Sequence, residues 1–306
     1  MEAAASLGDV TRSYPFLLLT LSAIWGASYL FIKVGVRAFE PFALVELRLL
    51  FAAPILVAFL VWRGELRELR RAVVPGIVLG AINVSIPFAL ITWGEKHIDS
   101  GVAAIANASV PLFVFLLALQ FAPGERTGGA RLAGLLIGIV GIGVLAGVHP
   151  RGGAWAVAGT LAVVLASLSY AAGGLFGQRE TARFSGPVLA AASVLYGALL
   201  MLPLSLLQVP GDLGGWKPLT STAALGLAGT GIAQLLLFRI LRDHGAARAS
   251  LVTYLMPPIA LVYGAVLLGE PLTAEEVIGM ALILLGIGLG SGLLRLPRRV
   301  PATQTP

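Results

Sequence analysis

The side chains of this sequence that could do chemistry are few, and they sit inside long apolar runs. Glu46, Arg48, Asn83, Asn107, Gln178 and Gln234 are the clearest polar or charged ones. The hydroxyls of Ser28, Thr92 and Thr253 join them, with the amphipathic rings of Trp25, Tyr29, Trp93, Tyr170, Tyr196, Tyr254 and Tyr263. An amide offers donors and an acceptor together. Asn83, Asn107 and Gln234, each near the middle of its run, therefore suit a polar or zwitterionic solute, with an interhelical hydrogen bond as the alternative. Trp25 and Tyr170 could wall a cavity or pack between helices. Glu46, Arg48 and Lys33 are candidates for a gate ion pair, with a static pair as the plainer reading. Residues two apart on a helix do not face each other, so Glu46 is expected to pair with Lys33 or Arg37 rather than with Arg48.

No enzyme signature accompanies these residues. The chain has no cysteine, so no thiolate nucleophile or Cys-based metal site is available. His97, His149 and His244 lie far apart without ligand spacing, and there is no glycine-rich phosphate loop ending in a lysine. Neither a cofactor nor a metal is expected.

The elements that carry these residues follow from composition. Only 12% of the residues are charged and 58% are hydrophobic, with a mean hydropathy of +0.92. Soluble domains carry roughly 25% charged residues. Ten apolar segments run approximately over 15–34, 42–62, 73–94, 100–122, 131–148, 154–177, 187–208, 218–241, 249–268 and 276–294. At 1.5 Å per residue each can cross a hydrocarbon core of about 30 Å as a helix. Lys33 follows the first without a small-residue cleavage pattern, so it reads as a mature helix. With both termini on one side, that side receives fourteen arginines, many in the 63–72 loop. The other side receives only Arg37, Lys96, Arg151 and Lys217. The positive-inside rule then predicts cytoplasmic termini. The net charge of +6 belongs to this asymmetry. The expected partners are a lipid bilayer and a small-molecule substrate, not nucleic acid.

The sequence also repeats itself. At a shift of 145, Glu125 falls on Glu270, and Gly134, Gly141, Gly143 and Gly147 fall on Gly279, Gly286, Gly288 and Gly292. Trp25 falls on Tyr170 at the same shift, and a shift of 146 places Pro111 on Pro257. The expected organisation is a tail over 1–13, a five-span repeat over 14–148, a second over 149–294 and a tail over 295–306. Five is odd, so the second copy enters the membrane inverted, and such pairs bind solute between the halves. Pro111, Pro257 and Pro258 are expected to kink or break spans 4 and 9, the best structural pointers to that site. Asn107 would face Thr253 or Tyr254 there. Glu125 and Glu270 are expected to cap the helices that follow them. The Gly134-x-x-x-Gly138 row is expected to pack within the chain, with dimerisation as the alternative.

These features together resemble the EamA-type branch of the drug/metabolite transporter superfamily. The resemblance is carried by WGASYLFIKVG at 25–35, APGER at 122–126, LLGEPLT at 267–273, the proline in each fourth span and the glycine-rich fifth spans. It implies an all-α polytopic membrane protein, ten transmembrane helices as a 5+5 inverted repeat around a central cavity. It also implies a secondary transporter in a bacterial-type inner membrane, monomeric or homodimeric, exporting amino acids or similar small metabolites by alternating access. The alternative is a multidrug/cation or sugar-type metabolite transporter, and an integral-membrane enzyme is a remote one. Small four-span multidrug relatives carry an acid within their first span, and this chain has none there. With Glu46 taken as the deepest acid, the sequence predicts facilitated or weakly coupled transport.

Overall fold

The computed structural model describes residues 2–121, 129–146, 153–212, 214–249 and 251–290. Among them, seven helices are long and apolar enough to cross a membrane: Tyr14–Gly35, Pro41–Arg63, Val73–Glu95, Ser100–Leu117, Gly153–Glu180, Gly186–Gln208 and Trp216–His244. We call these spans 1 to 4 and 6 to 8. Span 5 (Leu132–Leu145) and span 9 (Val252–Leu268) are shorter apolar helices, and span 10 covers Ala274–Gly290. The expected tail is helical from Glu2 and continues into span 1. Large apolar side chains face outward on many spans, Val74 and Val266 at 70% and 74% exposure among them. A hydrocarbon surround accounts for such a surface, because apolar burial against lipid carries no penalty.

Packing between spans is symmetric under exchange of the halves. Span 2 meets span 7, span 4 meets span 9, and span 5 meets span 10. Contacts of 3 with 6, 3 with 7 and 4 with 6 recur as 8 with 1, 8 with 2 and 9 with 1. Each recurring pair is generated by adding five to one span and subtracting five from the other, as a two-fold axis between the halves requires. Glycines make the approach close. A methyl group on Gly141 would fall within 3 Å of span 10 backbone, and one on Gly286 would fall 2.6 Å from the Gly134 carbonyl oxygen. These two contacts exchange under the repeat. The glycine rows thus serve packing of span 5 on span 10, as small residues do in lipid.

A second symmetric pair interrupts the helices. Span 3 passes through a π-helical segment at Gly80–Ser85, and span 8 through one at Leu227–Ile232. Just ahead of each, or at its start, a glycine touches the other half. Gly80 lies against Gly197, and Gly226 lies against the Arg48 carbonyl and Phe51. Such wide turns re-aim side chains and release carbonyls from the i→i−4 ladder. Span 4 is broken at Ala108–Ser109, between helices Ser100–Asn107 and Val110–Phe121. Of the expected kink or break in span 9 no break occurs: its helix runs on through Pro257 and Pro258, and a π segment follows at Gly264–Leu268.

Candidate functional site at the crossing of the halves

The interrupted helices bring polar groups to contacts between the halves. Arg48 of span 2 is buried. Its Nε donates to Thr230 Oγ1 in the span 8 π segment at 2.8 Å, and its guanidinium carbon stands 3.6 Å over the Phe88 ring of span 3. Tyr29, Tyr170 and Glu95 lie within its electrostatic reach. By helical rise Arg48 sits about 10 Å into span 2 from Pro41. A guanidinium has five N–H donors, and no carboxylate lies within ion-pair distance of it among the described residues. Burying a cation in a bilayer costs at least about 2.5–3.5 kcal/mol. A bond from a charged donor returns about 1.5–3 kcal/mol and a desolvated ring contact about 2. The cation is therefore tolerable at rest, with N–H groups left to receive an anion.

The expected amides are placed in different ways. Asn107 lies at the break in span 4. Its Nδ2 donates to the Tyr29 hydroxyl at 2.7 Å, and its Oδ1 accepts from Ser167 of span 6 at 3.1 Å. Pro111 has no N–H to offer the Asn107 carbonyl, and the Ser167 hydroxyl approaches that oxygen too, at 3.4 Å. Asn83 lies in the span 3 π segment against Gly173 of span 6, where an added methyl would touch its side chain. Beside it the Ile82 carbonyl accepts from Ser169 at 2.6 Å. Gln234 is half-buried just after the span 8 π segment, and Gln178 is exposed near the end of span 6.

The remaining candidates line the same core. Ser28 is buried, donates to the Ile24 carbonyl and faces Gly229 of the span 8 π segment. Trp25 and Tyr170 both pack against the main core cluster, and no ring contact joins them among the described residues. Tyr170 stands edge-on to Phe88 at 6.4 Å instead. Thr253 and Tyr254 are half-buried on span 9, and Tyr254 packs on the same cluster. Pro257 is buried and Pro258 half-buried. An apolar recess of about 360 Å³ lies elsewhere, between spans 2, 3 and 7, lined by Phe42, Ala89, Leu90 and Met201 among others.

The expected ion pair of Glu46, Arg48 and Lys33 does not form. Glu46 is buried with Oε2 unpartnered. Lys33 Nζ donates to the backbone carbonyls of Glu95 and Ile98 at 2.9 and 2.6 Å. Glu46 lies further into its span than any other acid singled out, but it is not the most enclosed one. Glu95, the last residue of span 3, has no exposed surface, and neither carboxylate oxygen has a hydrogen-bond partner. The apolar run ends at 94, one residue short of Glu95, so the sequence alone gives no sign that this acid is enclosed.

Glu270 caps a helix, but not the one that follows it. Its carboxylate accepts from the Ser100 amide at 3.0 Å, the Ser100 hydroxyl at 2.6 Å and the Gly101 amide at 3.4 Å. Those are the orphan donors at the start of span 4, in the other half. Gly264 makes room, since a methyl there would collide with the carboxylate. Glu125, its repeat partner, and Gly147 and Gly292 lie outside the described residues.

Fold and site define a polytopic helical membrane protein built as an inverted repeat. Two copies of the EamA-like transporter family model match, at residues 12–147 and 157–291, and the chain belongs to that family. It is 32% identical over 283 residues to the "Probable terminal-alkyne amino-acid exporter" of Streptantibioticus cattleyicolor, covering 89% of this chain and 91% of that one. An uncharacterized inner membrane transporter of Escherichia coli K12 is 29% identical over 279 residues (89% and 88% covered). The "Probable amino-acid metabolite efflux pump" of Salmonella typhimurium is 27% identical over 289 residues (91% and 94% covered). A solved crystal structure shares the fold with a TM-score of 0.66 at 25% identity, covering 92% of this chain and 98% of the other.

Proposed function

We propose that this transporter exports amino acids or similar small carboxylate-bearing metabolites from the cytoplasm by alternating access, in an inner membrane, with both termini cytoplasmic. The observation that carries the reading is Arg48. It is a buried cation at the crossing of spans 2, 3 and 8, with no anionic partner among the described residues. A solute carboxylate would supply that partner, and the guanidinium fork matches it in two-point geometry. Trp25, Tyr170, Asn83 and Gln234, on spans 1, 6, 3 and 8, are proposed to contact the rest of the solute, and Thr253 and Tyr254 to contribute from span 9. The same cation disfavours the multidrug/cation reading. Two of the relatives above bear amino-acid exporter or efflux names. The paired interruptions of spans 3 and 8 are where two rigid halves could rock about a fixed site.

Counterflow in proteoliposomes tests this. Trace uptake of labelled amino acids into vesicles preloaded with unlabelled amino acid is expected. Exchange of organic cations or sugars, with amino acids inert, would overturn the reading.

A further inference from the structure

We propose that Glu95 is the proton-binding group of the outer gate: its carboxylate takes up one proton from external water when that side closes and returns it when that side opens. The proposal rests on the alternating-access reading.

Glu95 ends span 3 at the rim that also carries the 1–2 and 9–10 connections. Both of its oxygens are sealed and unpartnered. Thr92, three residues earlier on the same helix face, is also fully buried with its hydroxyl unpartnered. Three buried polar atoms on one helix face thus have no hydrogen-bond partner among the described residues. A buried carboxylate without hydrogen bonds costs far more than the neutral acid.

Lys33 and Arg48 favour its ionised form from a distance and Glu270 opposes them, but none of these charges forms an ion pair with it among the described residues. From span 1, Lys33 turns its ammonium onto the Glu95 and Ile98 carbonyls instead of the carboxylate, and Tyr29 donates nothing to it. From span 2 comes Arg48, engaged with Thr230 and Phe88. From the 9–10 connection comes Glu270, a like charge already holding Ser100. Span 4 offers Ser100 to Glu270, and span 6 meets this end through Gly159 and Trp155 without charge. On the same segment as Glu95, Lys96 pairs with Glu40, His97 stacks on Trp155, and Asp99 has its own contact.

The bonds that close this rim are the ones beside Glu95. Lys33 ties span 1 to the end of span 3, and Glu270 ties the second half to span 4. Parting the halves at this rim must break the Glu270–Ser100 bonds, and water then reaches the carboxyl. Ionisation favours the open side and protonation the closed one.

The chain has no cysteine, so a single Thr92→Cys is an unambiguous reporter of water access at this spot. A membrane-impermeant thiol reagent is added outside proteoliposomes at intervals between about pH 5.5 and 8, above the ordinary carboxyl range near 4.3. Thiolate content also rises with pH, so the same series is run on Thr92→Cys with Glu95→Gln, and with Glu95→Ala should the Gln variant not be monodisperse. We expect labelling in the Glu95 background to rise about tenfold beyond the thiolate factor across this range, and labelling in the variants to follow the thiolate factor alone. Identical profiles with and without Glu95 overturn this proposal alone. Absence of labelling at every pH in all variants overturns alternating access and this proposal with it.

Discussion

Removing the carboxylate of Glu270 should weaken a bond between the halves, by an amount the geometry sets. The group accepts two close hydrogen bonds from Ser100, at 3.0 and 2.6 Å, and a longer one from Gly101 at 3.4 Å. Hydrogen bonds to a charged group contribute about 1.5–3 kcal/mol, and a negative charge at a helix N-terminus about 0.3–1 kcal/mol more. Glu270 is only half-buried, so the lower ends apply. Glu270→Ala should cost about 2–3 kcal/mol, Ser100→Ala about 1–2, and the double variant less than their sum by about 1 kcal/mol. Glu270→Gln, which keeps one acceptor oxygen, should fall between parent and Glu270→Ala. The assay is thermal unfolding of purified protein in detergent at one fixed scan rate, with the exposed Asp212→Ala as reference. Additivity of the two single variants within about 0.3–0.5 kcal/mol, or a Glu270→Ala loss no larger than that of Asp212→Ala, would refute the cross-half cap.

Other outcomes follow from the same contacts. Gly286→Val places a side chain within 3 Å of backbone at Gly134 and Gly138, and overpacking of this kind costs about 1–3 kcal/mol; a melting point equal to the parent's would contradict it. Asn107→Ala removes two interhelical bonds worth about 0.6 kcal/mol each, so a loss near 1 kcal/mol with reduced counterflow is expected, and full flux would remove Asn107 from the site. Partial burial pushes the Glu65 carboxyl up, but the Ser185 hydroxyl and Arg63 outweigh it and hold it below its ordinary value. Its contribution is present above the ordinary range near pH 4.3 and is lost as pH falls through the lowered value, so the stability difference between parent and Glu65→Gln should shrink on acidification; a difference constant with pH would contradict this. Reporter fusions at Pro306 and in the 209–215 loop should report opposite sides of the membrane, and the same side would end the proposed topology.

The spans were legible because each is an apolar run about as long as a bilayer is thick. The glycine offset of 145 foretold the reciprocal contacts of Gly141 and Gly286, since a repeat in sequence becomes a two-fold in packing. The π segments at 80–85 and 227–232 were not legible. They arise where Gly80 and Gly226 press against the other half, a tertiary contact that propensity does not report. Thr230 was missed for that reason: an isolated helical threonine bonds its own backbone cheaply, and only the fold sets it against Arg48. Arg48 itself was noticed but assigned to a gate, because its depth and its companion Phe88 depend on how spans 2 and 3 cross. At Pro257 and Pro258 the helix continues, so proline type alone does not tell a broken span such as 4 from a continuous one such as 9.

The central claim is that Arg48 receives the carboxylate of the exported solute. Its most direct test is counterflow of one labelled amino acid in proteoliposomes, competed by the free acid or by its carboxyl amide, in the parent and in Arg48→Gln. The account predicts competition by the free acid and not by the amide in the parent. It also predicts loss of about tenfold or more of the exchange rate in Arg48→Gln, equal to the roughly 1.4 kcal/mol or more of a charge-assisted bond, with folded protein still recovered. Equal competition by acid and amide in the parent, or parental exchange in Arg48→Gln, would contradict it.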